Sequence, residues 1–245
     1  MRILIIRHGE PDYAHDSLTE RGFIEAELLS EKLKNENITK IYCSPLGRAK
    51  ATAAPTIEKT GLEPEILDWL TEFPAALKPN YAEFGLDPAY ETTCPWNLHP
   101  QFWTKHDKYF DRHDWIKEDL YASSKIPEVY QRVGKGYNEL LRRHGYERDG
   151  QLYNIAAGTN EEQTIALFCH LGLGLAIISQ VTTGALPFIW ESFFLPTSSV
   201  TTLYTEKYPP YKNQVAMRII GMGDVSHLYV GGVATSSSGL HSEIG

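Results

Sequence analysis

Arg7-His8, the stretch Ser44 to Arg48, and His170 each directly follow a short apolar run, and the three runs read as strands of one sheet. In open α/β sheets the carboxyl ends of the strands form the ligand crevice. Helix N-termini beside them present free N–H groups that favour anions. Two arginines and two histidines are thereby brought to one edge. Alone, an arginine before a turn is more often a solvated charge, and a histidine at a strand end more often a hydrogen-bonded structural group. The reading rests on their convergence, which suits an anionic substrate gripped by guanidinium forks with imidazoles beside it.

The elements that must position these groups follow from hydrophobic period. Ile3 to Ile6 is a continuous apolar run bounded by Gly9 and Pro11, as expected of a buried parallel strand. Thr19 caps a helix running to about Asn35, with Phe23, Ala26, Leu29 and Leu33 on one face. Ile41 to Cys43 is a second strand, and Leu46 to Lys59 a second helix in which Pro55 allows a kink. Pro127 opens a third helix whose stripe is Val129, Tyr130, Val133, Tyr137, Leu140 and Leu141, ending near Gly145. Glu147 to Glu162 is polar and reads as a loop. Thr164 to Cys169 is a buried strand feeding a helix over Leu171 to Thr183, and Ser199 to Thr205 and Gln214 to Gly221 are later strands. The alternation predicts an α/β fold, a three-layer α/β/α sandwich with a mostly parallel central sheet.

One segment breaks the rhythm. Phe73 to about residue 126 is crowded with Trp96, Trp103, Trp115, Phe84, Phe102, Phe110 and several tyrosines, and is read as a largely helical insertion near the site. Its rings could be core or could cover a substrate pocket. The expected organisation is a single domain with core 1–72 and 127–232, insertion 73–126, and a Ser- and Gly-rich flexible tail 233–245.

Composition narrows the function. A net charge of -8 argues against a nucleic-acid-binding face. The N-terminal apolar run is too short for a signal peptide or a membrane span, so a cytoplasmic protein without a membrane partner is expected. Cys43, Cys94 and Cys169 form no CxxC pair and are read as reduced thiols. His99, His106 and His113 recur at seven-residue intervals near Asp107, Asp111 and Asp114. Two helical turns separate neighbours by about 10.5 Å on a straight helix, so they cannot share one ion and no metal is assigned. Gly172-Leu173-Gly174 lacks the full dinucleotide-binding spacing. Both a monomer and a homodimer are compatible with the sequence.

The motifs, taken in order, resemble the histidine phosphatase superfamily, also called phosphoglycerate mutase-like. Arg7-His8-Gly9, followed by Glu10, is similar to its RHG signature, and Leu18-Thr19-Glu20-Arg21-Gly22 to its LTExG helix entry. Ser44-Pro45-Leu46-Gly47-Arg48-Ala49 resembles its SPLxRA segment, Cys169-His170 its second histidine, and Ser199 to Leu203 its SVTxL strand. The insertion is left unmatched.

The resemblance implies a phosphatase working without a cofactor on a small phosphorylated substrate. Arg7 and Arg48 would neutralise the phosphoryl oxygens, His170 would add a donor, and a neutral His8 would attack phosphorus to form a phosphohistidine. The leaving oxygen needs a proton, for which Glu72 is the candidate and Asp68 the fallback. The family asparagine six residues after the nucleophile is Ala14 here, and the role of Glu10 is open. A mutase would pass the phosphoryl group to a second hydroxyl, and a regulatory module would only bind it. The insertion holds more acidic than basic residues and a single arginine, Arg112, which favours the phosphatase branch over the mutase.

Overall fold

A computed structural model of the chain describes residues 1–84, 92–105 and 107–241. The first βα unit is β1 (Arg2–Arg7), a small hairpin of β2 (Pro11–Asp12) and β3 (Ser17–Leu18), and α1 (Glu20–Leu33). Next come β4 (Lys40–Cys43), α2 (Gly47–Thr60) and β5 (Pro64–Ile66). The insertion contains the one-turn helices α3 (Pro100–Trp103) and α4 (Asp119–Ala122), with 3₁₀ turns between and around them. The chain continues through α5 (Ile126–Arg143), β6 (Tyr146–Asp149), β7 (Leu152–Ile155), β8 (Thr164–Cys169), α6 (Leu171–Thr182) and α7 (Leu186–Ser192). It closes with β9 (Val200–Tyr208), β10 (Tyr211–Asp224) and α8 (Ser226–Val230).

Eight strands form one mixed sheet in the order β5-β4-β8-β1-β9-β10-β7-β6. The half that carries the predicted site, β5, β4, β8 and β1, is parallel throughout. From β1 outward each pairing is antiparallel, so β9 and β7 alone run against the others.

Side-chain alternation along β1 builds the layers on either face. Ile3 and Ile5 point into the larger core with Val133 and Tyr137 of α5 and Leu173 and Ile177 of α6. Leu4 and Ile6 point into the smaller one with Leu29 and Leu33 of α1 and Ala49 and Ala53 of α2. Every one of these side chains is within 1% of full burial, so both faces exclude water. The stripe expected on α5 is buried, apart from Tyr130, whose ring is partly buried and whose hydroxyl lies 3.0 Å from Ser179 Oγ.

Two local expectations are corrected. Glu147 to Glu162 is not all loop, because β6 and β7 form an antiparallel hairpin across it. Tyr146 and Tyr153 supply its buried face, and Gly150 takes the left-handed φ of 61° that its two-residue turn needs. The polar residues between them are the solvent face of a half-buried hairpin. Phe23 is 50% exposed, since the first two turns of α1 bury Gly22, Glu25 and Ala26 instead. Pro55 lies inside α2, which continues as one helix to its left-handed cap at Gly61.

The aromatic insertion splits between two roles. Phe102, Tyr109, Trp115 and Tyr121 are buried in the larger core, with Trp115 and Tyr109 each packing edge-on against Tyr121. Phe73 and Trp96 instead reach the site. His99 precedes α3 and His113 lies in a turn, so the two do not share a helix face, and His106 lies outside the described residues. Among the described residues no three His, Cys, Asp or Glu side chains cluster as a metal site, and no helix is long and apolar enough to cross a membrane.

Candidate active site

Strand register brings the two histidines together. Arg7 is paired with Cys169, and the His8 N–H donates to the Cys169 carbonyl at 3.0 Å, so His8 and His170 leave the sheet as neighbours. Their ring centroids are 5.2 Å apart. On the other side of β8, Ser44 N donates to Phe168 O, which sets the Ser44 hydroxyl 2.8 Å from His170 Nε2. Cys43 pairs with Ile66 of β5, and one 3₁₀ turn over Asp68–Leu70 then carries the chain back to Glu72.

Each imidazole has a definable protonation state. His8 Nδ1 donates to the Gly9 carbonyl at 2.7 Å, which leaves Nε2 with the lone pair. Burial, with Arg7 and Arg48 nearby, holds its pKa well below the ordinary 6.5. His170 is held down the same way, by burial and then by His8 and the two arginines. The Ser44 hydroxyl accepts from Leu46 N at 3.3 Å and can give its own proton to His170 Nε2, an arrangement in which the His170 proton sits on Nδ1.

The arginines differ in how they are held. Arg7 is 2% exposed, lies over the Phe194 ring at 5.3 Å, and donates to Leu195 O at 2.6 Å and Ser238 O at 2.7 Å. Burial lowers its pKa to about 10, which leaves it a cation at neutral pH. Arg48, in the first turn of α2, donates to Asp16 Oδ1 at 2.8 Å, and Asp16 Oδ2 accepts from Gly47 N at 2.6 Å. Burial by itself would raise the Asp16 carboxyl, but the Gly47 N–H and the Arg48 guanidinium outweigh it and hold the carboxyl low. The contact is too close for a side chain at position 47: a Cβ there would stand 2.1 Å from the Asp16 carbonyl oxygen. The Nε atoms of Arg7 and Arg48 and the Nδ1 of His170 are buried without a protein acceptor. Three such donors in one place are unusual for a folded interior and suit an anion with several oxygens.

Arg7, His8, Arg48 and Glu72 line one cavity of about 310 Å³, and the His170 ring is beside that of His8 without lining the cavity. Glu72 Oε1 accepts from Phe73 N and Leu173 N, both at 2.9 Å, and Oε2 from Gly172 N at 3.0 Å. Burial pushes its carboxyl above the ordinary range, against those three N–H bonds and Arg48. Asp68 is exposed and does not line the cavity. Ala14 is also exposed and away from it.

The sequence model of the histidine phosphatase superfamily (branch 1) matches residues 3–215. The chain belongs to the histidine phosphatase superfamily. Among its relatives, phosphoserine phosphatase 1 of Hydrogenobacter thermophilus is 25% identical over 159 residues, covering 59% of this chain and 66% of that one. A probable phosphatase of Schizosaccharomyces pombe is 33% identical over 75 residues, covering 27% of this chain and 34% of that one. A probable phosphoglycerate mutase of Photorhabdus laumondii is 32% identical over 72 residues, covering 26% and 34% respectively. The chain thus spans between a third and two thirds of the length of these relatives. The fold agrees with that of Entamoeba histolytica phosphoserine phosphatase, with a TM-score of 0.59 at 18% identity over 93% of this chain and 98% of that one. It also agrees with a mycobacterial glucosyl-3-phosphoglycerate phosphatase, with a TM-score of 0.57 at 18% identity over 91% and 98%.

Within this histidine phosphatase superfamily member, several site features escape motif reading. Asp16 has no family position to announce it; its only sequence signal is an acid shortly before the helix entry at Leu18-Thr19. Glu10 joins distant segments, accepting from Thr19 Oγ1 at 2.9 Å and from Ser236 Oγ at 2.6 Å. The second of these contacts belongs to the Ser- and Gly-rich tail. Its residues 233–241 lie against the site, with Arg21 donating to Ala234 O, Arg7 donating to Ser238 O, and Gly239 on the cavity wall.

Proposed function

We propose that the protein is a phosphomonoesterase that works through a phosphohistidine at His8 on a small phosphorylated metabolite. The observation that carries this reading is the single cavity lined by His8, Arg7, Arg48 and Glu72, with three unsatisfied donors around it. Arg7, Arg48 and His170 bind the phosphoryl oxygens and offset their charge, so the chemistry can be written without a metal. The Nε2 lone pair of His8 forms a bond to phosphorus as the ester P–O bond breaks, and protonated Glu72 gives its proton to the departing oxygen. Water then attacks the phosphohistidine, Glu72 takes up the proton, and inorganic phosphate leaves with His8 restored.

A mutase reading is less well supported. Holding a second acidic group needs further cations, and among the described residues the cavity presents only Arg7 and Arg48.

The test is phosphate release from p-nitrophenyl phosphate with rapid-quench trapping of an acid-labile, base-stable phosphoenzyme. His8→Ala should abolish both signals. Full activity in that variant, or an active enzyme with no trapped phosphoenzyme, contradicts the mechanism. Bisphosphate-dependent isomerisation of a phosphoglycerate with little loss to water would favour the mutase. Phosphate binding with neither reaction would indicate a regulatory module.

A further inference from the structure

The lining of the cavity has two chemically different parts. Arg7, Arg48 and His8 form one, and their charge and hydrogen-bonding capacity are consumed by a phosphoryl group. The other wall is made by Leu46, Phe73, Cys94, Trp96 and Leu171, with the ring of Tyr13 over Arg48 at 5.5 Å at its rim. Burial pushes the Cys94 thiol up to about 11, so it is neutral at working pH and adds no charge to that wall.

The aromatic part of this wall is built rather than incidental. Phe73 packs edge-on against Trp190 of α7 at 5.0 Å, and Trp96 does so at 6.2 Å. Trp190 is itself fastened by its Nε1, which donates to Gly172 O at 3.0 Å. Trp96 lies so close to the first turn of α6 that a Cβ at position 172 would stand 2.0 Å from its ring. Gly172 therefore admits Trp96 to the site, and Trp190 holds it there.

The apolar wall also continues. A second cavity of about 130 Å³ shares Trp96, Leu171 and Gly239 with the first and is lined further on by Trp190, Phe193 and Phe194. Its ionisable group is an acid, Glu191, which burial pushes up to about 8. Beyond the two phosphate-side arginines, neither cavity presents a cation among the described residues, and residues 85–91 of the chain contain no lysine or arginine. A carboxylate on the leaving group would find no cation of its own and would sit beside Glu72.

We propose that the leaving group accepted by this site is uncharged and apolar or aromatic, selected by the Trp96–Phe73 wall, and that phosphate esters with a second anionic group are poor substrates. This rests on the phosphomonoesterase reading and names its substrate class. Trp96 is the specificity-determining residue, because among the residues the two cavities share it is the aromatic one.

The experiment compares kcat/KM of the purified enzyme for benzyl phosphate with that for phosphoserine and 3-phosphoglycerate. All three leave as alkoxides, so a preference reports the pocket and not the chemistry of the bond. Benzyl phosphate should be preferred at least about tenfold, and Trp96→Ala should lower the ratio of benzyl phosphate to phosphoserine by a similar factor. Should that variant fail to fold, Trp96→Leu is read in the same way. A second variant, Leu171→Lys, should shift the ratio toward phosphoserine by placing a cation on the wall. Equal or greater efficiency on phosphoserine or 3-phosphoglycerate by the wild type overturns the proposal, as does a ratio that does not respond to Trp96. Release of phosphate from no monoester at all would overturn instead the phosphomonoesterase reading beneath it.

Discussion

Nδ1 of His8 lies 2.7 Å from the carbonyl oxygen of Gly9, a group that can only accept, so the ring is fixed with its lone pair on Nε2. Burial and the two arginines also disfavour the imidazolium, which keeps the ring neutral below its ordinary pKa. In ¹⁵N NMR of the free enzyme, His8 should show the neutral tautomer without titrating between pH 8 and pH 6. A midpoint near 6.5 would contradict this. The same depression makes folding weaker in acid. The unfolded chain takes up protons below 6.5 that the folded site refuses, so stability present above 6.5 is lost as pH falls.

Glu72 is separated from Asp68 by a test of the leaving group. A general acid matters most for a poor leaving group and little for one that departs as a stable anion. Glu72→Gln should cut kcat for an alkyl phosphate by about 10²–10⁴ while reducing kcat for p-nitrophenyl phosphate far less. Asp68→Asn should leave both rates close to wild type. Equal losses on the two substrates would mean that Glu72 acts by position and charge, not by proton donation.

Asp16 is expected to be a positioning residue. It ties Arg48 to the N-terminus of α2, and its side chain is too exposed to be a core group. Asp16→Ala should raise KM by about three- to tenfold, below the loss of a fully buried hydrogen bond to a charged group (about 1.5–3 kcal/mol) because Asp16 is half-exposed and screened by solvent. Asp16→Asn keeps an acceptor for Arg48 and should recover much of the loss. A kcat effect of similar size with unchanged KM would point to a role in the chemical step instead.

Removal of the residues after Val233 tests the Arg7–Ser238 contact. The truncation takes away the Ser238 acceptor of Arg7 and the Ser236 hydroxyl held by Glu10. Steady-state kinetics should show kcat/KM lowered about tenfold, near the value of one hydrogen bond to a charged group. Thermal unfolding should change by only a few degrees, since the core lies elsewhere. Unchanged kinetics would show that Leu195 O alone aims the Arg7 guanidinium.

What the chain determined by itself is local and periodic. The apolar runs at Ile3 to Ile6 and Thr164 to Cys169 announce buried strands, and Thr19 announces a helix start that its side chain caps through Gly22 N. Motif order then places Arg7, His8, Arg48 and His170 at strand or helix ends of one sheet edge. Tertiary structure decided everything that depends on distance between segments far apart in sequence. The strand register set His8 beside His170, and the fold of the loop before α1 brought Asp16 to Arg48. Glu72 rather than Asp68 faces the cavity because one 3₁₀ turn follows β5, a rotation that residue type does not encode. Nor could periodicity tell which insertion rings are core and which are wall. Trp115 and Trp96 have the same side chain, and only the glycine facing Trp96 across the fold makes room for it at the site.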